Sequence, residues 1–210
     1  MVKVLYIHGM GGGGDSRIPA VLNDFFRMNE QKIDVVVRTY DFDPEVACLQ
    51  IQEWVSELEP RLVIGESLGC LHALRITGLP LLLVSPALNA PFYFELLAWL
   101  TLIPGVTRIF DRIYRPKEGD RQPLHFTFTT LRKYIPHRRA ALSASCDRGF
   151  CLAFFGLRDH YRRNGIVSLR TWRKHFGNTF MLYDGTHFTE EKYILSLIVP
   201  AIYYVLNDNK

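Results

Sequence analysis

The stretch LVIGESLGCLHAL, residues 62–74, decides the fold because it places a serine between a short apolar strand and an apolar helix. Gly65, Ser67 and Gly69 satisfy the pattern G-x-S-x-G. Such spacing suits a sharp turn between strand and helix, in which the glycines let neighbouring backbone pass close and the serine side chain stays exposed. The next N–H, on Leu68, then lies at the helix N-terminus, where it faces developing negative charge. The stretch predicts a nucleophile elbow with Ser67 at its tip.

Short apolar runs alternate with helical patterns on either side of this stretch, as they do in a parallel sheet covered by helices on both faces. Helices are predicted to begin after Ser16, Asp43 and Thr189, because each polar residue precedes a helical pattern. The length of 210 residues suits one domain, so we expect residues 1–210 to form a single α/β domain with a mostly parallel sheet. The six predicted strands are residues 2–7, 33–40, 61–65, 79–86, 150–156 and 178–183.

The alternation is interrupted between residues 89 and 148, which separate the fourth strand from the fifth. An apolar piece (PFYFELLAWLTLIPG), a basic piece (RIFDRIYRPKEGDRQ) and a helical pattern (FTFTTLRKYI) follow one another there. We interpret the segment as a helical lid inserted over one end of the sheet, with ordinary helices packed on the sheet as the alternative. The lid interpretation predicts a substrate pocket with four aromatic side chains and two arginines for an anionic group: Phe92, Tyr93, Phe94, Trp99, Arg112 and Arg115.

Four motifs carry a resemblance that covers nearly the whole chain. They are LYIHGMGG (residues 5–12), IGESLG (64–69), LVSPALNAPF (83–92) and YDGTHFT (183–189). With these motifs the chain resembles the α/β-hydrolase superfamily, and within it the small bacterial YqiA/YcfP-like esterases. The resemblance implies an α/β-hydrolase fold with a catalytic triad in the chain order Ser, acid, His.

Residues that match the other two triad members follow the fifth and sixth predicted strands. Asp159 comes after FFGLR and His187 lies in YDGTHF, ahead of the final helix. With Ser67 they form the predicted triad, since the carboxyl ends of parallel strands lie at one edge of the sheet. Asp184 is the rival for the acid because it lies only three residues before His187. We rank it lower and expect it to belong to the strand end that orients the histidine loop.

The glycine run after the first strand is compatible with two loops. Gly9, Gly11 and Gly14 satisfy G-x-G-x-x-G, the pattern of a dinucleotide-binding turn. However, Asp15 and Ser16 place the helix start after Gly14, which makes the loop too long for that turn. Under the hydrolase interpretation, the Met10 N–H joins the Leu68 N–H in an oxyanion hole. The nucleotide interpretation is weaker but stays open, since Asp41 follows the second predicted strand, where a ribose ligand belongs.

Charge is unevenly distributed along the chain. Residues 108–174 contain 13 Arg and 3 Lys against 5 acidic residues, a formal charge of +11, whereas the other residues carry −7. A basic segment suits an anionic substrate, a nucleic acid, an acidic membrane surface or simply a solvated face. We expect no nucleic-acid partner because no nucleic-acid module surrounds it. We also expect no membrane span, no secretory signal and therefore a cytoplasmic location.

The sequence therefore predicts a serine hydrolase that cleaves a carboxylic ester or thioester of a small-molecule substrate through an acyl-enzyme. No metal or organic cofactor is expected, because the histidines have no ligand-like spacing. The alternative is a binding or scaffold protein that keeps the fold without turnover. A missing triad member would indicate that alternative, and the sequence contains all three.

Overall fold

Six parallel strands form the centre of the molecule, in the order β2-β1-β3-β4-β5-β6. The computed structural model describes residues 1–116, 119–143 and 149–208. Each of the six predicted strands is confirmed, and every neighbouring pair of strands in the described chain is parallel. Their bounds are β1 Val2–Ile7, β2 Ile33–Val37, β3 Leu62–Glu66, β4 Leu81–Val84, β5 Cys151–Gly156 and β6 Phe180–Tyr183.

Helices cover both faces of this sheet. The helices are α1 Arg17–Met28, α2 Pro44–Leu58, α3 Gly69–Ala73, α4 Ala90–Leu100, α5 Val106–Ile113, α6 Phe128–Ser143, α7 Leu169–Phe176, α8 Glu191–Tyr193 and α9 Val199–Asp208; a π-helical segment, Ile194–Ile198, joins the last two. One face of the sheet packs on α1 and the C-terminal helices, and the other on α2, α3, α4, α6 and α7. The inner strands are largely apolar on both sides because both faces are buried, as parallel sheets require, whereas the edge strand β6 exposes Met181 and Leu182.

Of the three polar residues predicted to precede helices, one caps its helix through a side-chain hydrogen bond and two do not. Asp43 caps α2 as predicted, since its carboxylate accepts the Glu45 N–H. Ser16 precedes α1, but its hydroxyl donates to the Gly13 carbonyl instead of capping the helix. Thr189 is not the cap of the last helix: Glu190 takes that position, and the Thr189 hydroxyl pairs with the buried Tyr183 hydroxyl at 2.9 Å.

The segment predicted as a lid, residues 89–148, forms α4, α5 and α6, and part of it lies outside the described residues. Helix α6 belongs to the core, with Leu131 and Tyr134 fully buried. Helix α4 packs against α6, and α5 buries none of its residues. Helix α6 and the buried face of α4 therefore complete the layer on the sheet, and α5 lies outside the core.

Candidate active site

The turn between β3 and α3 holds Ser67 in the left-handed region, with φ of 50°. Few residues other than glycine adopt this conformation, and it marks a position where the surrounding structure holds the backbone under strain. A Cβ on Gly65 would lie 2.9 Å from the Ala73 Cβ, and one on Gly69 would lie 2.3 Å from the His8 carbonyl oxygen. The two motif glycines are thus required by close approach, as the sequence pattern predicts.

His187 lies between Ser67 and Asp159. Its Nε2 is 3.0 Å from the Ser67 Oγ, and its Nδ1 is 2.8 Å from the Asp159 Oδ2. With the proton on Nδ1, the ring donates to the carboxylate and accepts from the serine hydroxyl. The three side chains follow β3, β5 and β6, so the parallel sheet brings their loops to one edge. The geometry fits a nucleophile, its general base and the group that orients the base.

Asp159 is buried, with 2% of its surface exposed. Its other carboxylate oxygen accepts the Tyr161 N–H at 2.8 Å, which fixes the side chain at the start of a short 3₁₀ turn. Asp184 instead is exposed and forms an ion pair with Arg158 at 2.9 Å. The structure therefore brings Asp159 to the histidine and leaves Asp184 at the surface.

The glycine loop lies directly against the Ser67 turn. A Cβ on Gly9 would stand 3.2 Å from the Ser67 Cβ, so the loop backbone passes beside the serine. The N–H groups of Met10 and Leu68 donate to no other residue in the described part of the chain. Both residues line the same cleft as Ser67. These two donors are therefore available to an oxyanion bound beside the serine.

Gln122, 111 residues after Gly11 in the chain, holds this loop in place through hydrogen bonds. Its side-chain oxygen accepts the Gly11 N–H, its own N–H donates to the Gly12 carbonyl, and its side-chain nitrogen donates to the Tyr40 carbonyl. Gln122 is 1% exposed. A buried amide with all these bonds rigidifies the loop that carries Met10. The sequence pattern gives no sign of this role.

A cleft of about 430 Å³ opens above Ser67. Its apolar lining includes Ala87, Ala90, Phe94, Tyr161 and Ile166. Its glycine-loop rim holds three charged side chains: Asp15 and Arg121, which form an ion pair at 2.6 Å, and Arg17.

Of the six predicted pocket residues, the structure brings only Phe94 to the cleft. Successive residues of α4 point to different faces, and Phe94 is the aromatic residue on the inner face. The Phe92 ring instead lies under the Arg138 guanidinium, Tyr93 donates to the Asn164 carbonyl, and Trp99 packs on Phe128 at the surface. Arg112 and Arg115 are exposed away from the cleft, on α5 and just after it.

Comparison with solved structures finds extensive likeness over the whole chain. A monoacylglycerol lipase from Paleococcus ferrophilus aligns with a TM-score of 0.63 and 16% identity, over 98% of this chain and 94% of that chain. Mouse alpha/beta hydrolase domain-containing protein 10 aligns with a TM-score of 0.62 and 13% identity, over 99% and 90%. Est1E from Butyrivibrio proteoclasticus aligns with a TM-score of 0.60 and 14% identity, over 96% and 90%. The chain has the α/β-hydrolase fold. No protein-family model and no curated protein sequence matches it.

The α/β-hydrolase sheet also holds a half-buried carboxyl next to Ser67 in the chain. Glu66 lines the cleft and accepts a hydrogen bond from the fully buried Tyr6 hydroxyl on β1. Burial raises the pKa of Glu66, against the lowering effects of the Tyr6 hydrogen bond and of His187. Burial also raises the pKa of Tyr6 well above its usual value. The sequence analysis missed this pair, whose members lie 60 residues apart.

Three histidines lie buried behind the elbow of this α/β-hydrolase fold. His8 stacks on Tyr40 at 4.2 Å between ring centroids, and His72 lies 4.7 Å from His137. The Nε2 atoms of all three lack a hydrogen-bond partner among the described residues. Burial lowers the pKa of each, to about 4 for His137. These rings are therefore neutral parts of the core at neutral pH.

The described residues hold neither a cluster of metal ligands nor a membrane-spanning helix. Within residues 1–116, 119–143 and 149–208, no group of three or more His, Cys, Asp or Glu side chains is placed to hold a metal ion. No helix in the same ranges is long and apolar enough to cross a membrane.

Cys70 is a core thiol: it donates to the Gly65 carbonyl, and burial raises its pKa well above the usual value.

Proposed function

We propose that the protein is a serine hydrolase that cleaves carboxylic esters or thioesters of small molecules. One observation carries the proposal: His187 lies within hydrogen-bond distance of both the strained Ser67 and the buried Asp159. That arrangement activates a serine hydroxyl for attack on an acyl carbon. The resemblance to YqiA/YcfP-like esterases belongs with this proposal.

The reaction proceeds in two halves. His187 takes the Ser67 proton on Nε2 as Oγ bonds to the acyl carbon, and Asp159 stabilises the imidazolium that forms. The Met10 and Leu68 N–H groups bind the oxyanion. His187 then gives the proton to the departing alcohol or thiol, which leaves an acyl-enzyme. A water molecule, deprotonated by His187, attacks this ester and releases the carboxylic acid and free Ser67.

The cleft supports an apolar acyl group as substrate. Phe94, Ala87 and Ala90 offer a wall without charge, and the volume of about 430 Å³ falls in the lower part of the range of small-molecule sites. An anionic group in the cleft would meet Arg17, which lines it and has no ion pair in the described chain. The lid proposed for segment 89–148 is kept for α4 and α5, since α4 forms a cleft wall and α5 lies outside the core, whereas α6 belongs to the core.

The names of the structural neighbours agree with this class of reaction. They include a monoacylglycerol lipase, Est1E with ferulic acid bound and a thioesterase domain from the curacin biosynthetic pathway. A lipase and a thioesterase both transfer an acyl group to water, which supports the proposed reaction class and leaves the acyl and leaving groups of this protein open.

A fluorophosphonate probe tests the nucleophile directly. We expect mass spectrometry to find the adduct on Ser67, and hydrolysis of p-nitrophenyl acetate, butyrate and octanoate to disappear in Ser67→Ala. Ser56→Ala, on the exposed side of α2, is the matched control and should keep both labelling and turnover. An unlabelled, inactive wild-type protein that is folded by circular dichroism would contradict the proposal and favour the non-catalytic scaffold.

A further inference from the structure

A second hollow lies on the far side of the Asp159 loop. It measures about 750 Å³ and is lined by four arginines: Arg158, Arg162, Arg163 and Arg170. Asp159 also lines it, so the hollow borders the acid that contacts His187. We call this feature the arginine hollow. It is separate from the cleft above Ser67, since no residue lines both.

Positive charge in the arginine hollow is largely uncompensated. Arg158 is neutralised by Asp184 at 2.9 Å and Glu190 at 3.5 Å. Arg162, Arg163 and Arg170 form no ion pair with any residue that the structure describes. The one carboxylate in the lining, that of Asp159, already accepts from His187 and the Tyr161 N–H. Arg162 also donates to the Gly156 carbonyl at 3.1 Å, so Arg163 and Arg170 are the two exposed arginines of the lining that have neither an ion pair nor a hydrogen bond among the described contacts.

The start of α7 adds to this positive potential. Leu169 and Arg170 form its first turn and line the hollow, and the first-turn N–H groups of a helix have no acceptor within the helix. That turn contains no acidic residue, and an arginine there opposes the helix dipole. The Ser168 hydroxyl satisfies only the Thr171 N–H. An anion in the hollow would interact favourably both with the first-turn N–H groups of α7 and with Arg170.

We infer that the arginine hollow binds a multiply charged phosphate group of pyrophosphate size or larger. Guanidinium groups match phosphate oxygens through paired, charge-assisted hydrogen bonds. The volume favours a larger ligand than a single phosphate ion, because it lies in the upper part of the range of small-molecule sites. All four arginines of the hollow belong to residues 108–174, whose formal charge is +11.

The phosphate belongs either to the substrate or to a separate effector. The position of the hollow connects either one to turnover. The loop that lines the hollow also presents Tyr161 and Ile166 to the cleft and fixes Asp159. A phosphate carried by the leaving group of the substrate would strengthen substrate binding. A phosphate carried by a separate effector would act on turnover by ordering the Asp159 loop.

Isothermal titration calorimetry of the full chain with sodium pyrophosphate tests the site without any assumption about catalysis. The test variant is Arg163→Gln with Arg170→Gln, two exposed side chains whose loss should leave the fold intact. The matched control, Arg112→Gln with Arg115→Gln, removes equal charge from exposed positions away from the hollow. We expect one pyrophosphate per wild-type or control chain and at least roughly tenfold weaker binding in the test variant, since each lost charge-assisted hydrogen bond is worth a factor of about ten or more.

Three results would overturn the inference: absence of binding heat in wild type, equal weakening in both variants, or a test variant that binds as wild type does. Tighter binding of a 20-base-pair DNA duplex than of pyrophosphate, lost in the test variant, would assign the surface to nucleic acid instead. Circular dichroism melting of all three proteins separates a lost site from a lost fold.

A kinetic comparison then distinguishes the two phosphate sources and rests on the proposed function. Butyryl coenzyme A carries phosphates, and butyryl N-acetylcysteamine does not. Lower kcat/KM in the test variant for the phosphate-bearing thioester alone would assign the hollow to the substrate. A pyrophosphate-dependent change in turnover of the phosphate-free thioester, absent in the test variant, would assign it to an effector. If both thioesters and the p-nitrophenyl esters are inert and Ser67 takes no fluorophosphonate label, the proposed function fails while the calorimetric result stands.

Discussion

The carboxylate of Asp159 contacts the ring of His187 at 2.8 Å, although another aspartate, Asp184, lies much closer to that histidine in the chain. The reason is the geometry of the parallel sheet. Loops after β5 and β6 leave the same edge, and Gly156 permits close approach: a Cβ there would lie 2.5 Å from the Gly185 carbonyl oxygen. Asp184 points outward at the end of β6 and pairs with Arg158. Sheet topology, and not chain proximity, decides which aspartate contacts His187.

Asp159→Asn and Asp184→Asn should therefore differ strongly in ester hydrolysis. An amide at residue 159 no longer holds the His187 tautomer or stabilises the imidazolium, so kcat should fall on the order of 10³–10⁴-fold. Asp184→Asn breaks only an exposed ion pair and should change kcat less than about twofold. Steady-state hydrolysis of p-nitrophenyl butyrate provides the measurement. Similar losses in both variants would refute the assignment of Asp159.

Gly69→Ala tests the close contact between the elbow helix and β1. The new methyl would lie 2.3 Å from the His8 carbonyl oxygen and 2.4 Å from that of Ile7, both of which are backbone atoms. We expect a loss of roughly 1–3 kcal/mol or more in the free energy of unfolding, as for overpacked sites, together with lost activity. Gly149→Ala is the control, because nothing lies within 4 Å of its added Cβ. Urea unfolding measures both, and equal stability of the two variants would contradict the contact.

Phe94→Ala tests the acyl wall of the cleft. Removing the ring enlarges the apolar space beside Ser67, so the ratio of kcat/KM for octanoate over acetate esters should rise severalfold. The variant should also lose roughly 3–5 kcal/mol of stability, because Phe94 is 94% buried in the core. Trp99→Ala, five residues along α4 and 57% exposed, should leave the ratio unchanged. A changed ratio in Trp99→Ala alone would place the acyl site elsewhere.

Local motifs point to the three residues of the proposed triad, whereas the rest of the site depends on packing between distant parts of the chain. Ser67 follows from a pattern within a few residues, and Asp159 and His187 follow strand ends that the apolar runs reveal. The inner face of α4 depends on how that helix packs against α6, so four aromatic residues looked equivalent and only Phe94 lines the cleft. The pairing of Gln122 with Gly11 spans 111 residues, and no sequence signal connects them.

Because three histidines are buried, we expect the free energy of unfolding to fall in acid. Burial lowers the pKa of His137 to about 4, against the ordinary value of about 6.5 expected in the unfolded chain. The unfolded state therefore binds more protons between these pH values. The contribution of His137 to the free energy of unfolding should be fully present above about pH 6.5 and should fall as the pH drops toward 4. One such group contributes up to about 1.36 kcal/mol per pH unit. His8 and His72, whose pKa values are also lowered, add to the slope in the same direction.

His137→Phe should reduce this pH dependence. A phenyl ring preserves packing against His72 and Tyr134 and removes the titrating group whose Nε2 lacks a partner in the described chain. Urea unfolding at pH 4.5, 5.5, 6.5 and 7.5 should give a shallower slope than wild type, by up to about one proton's worth. His125→Gln changes an exposed histidine paired with Asp111 and is the control. An undiminished slope in His137→Phe would mean that the acid sensitivity arises from other groups.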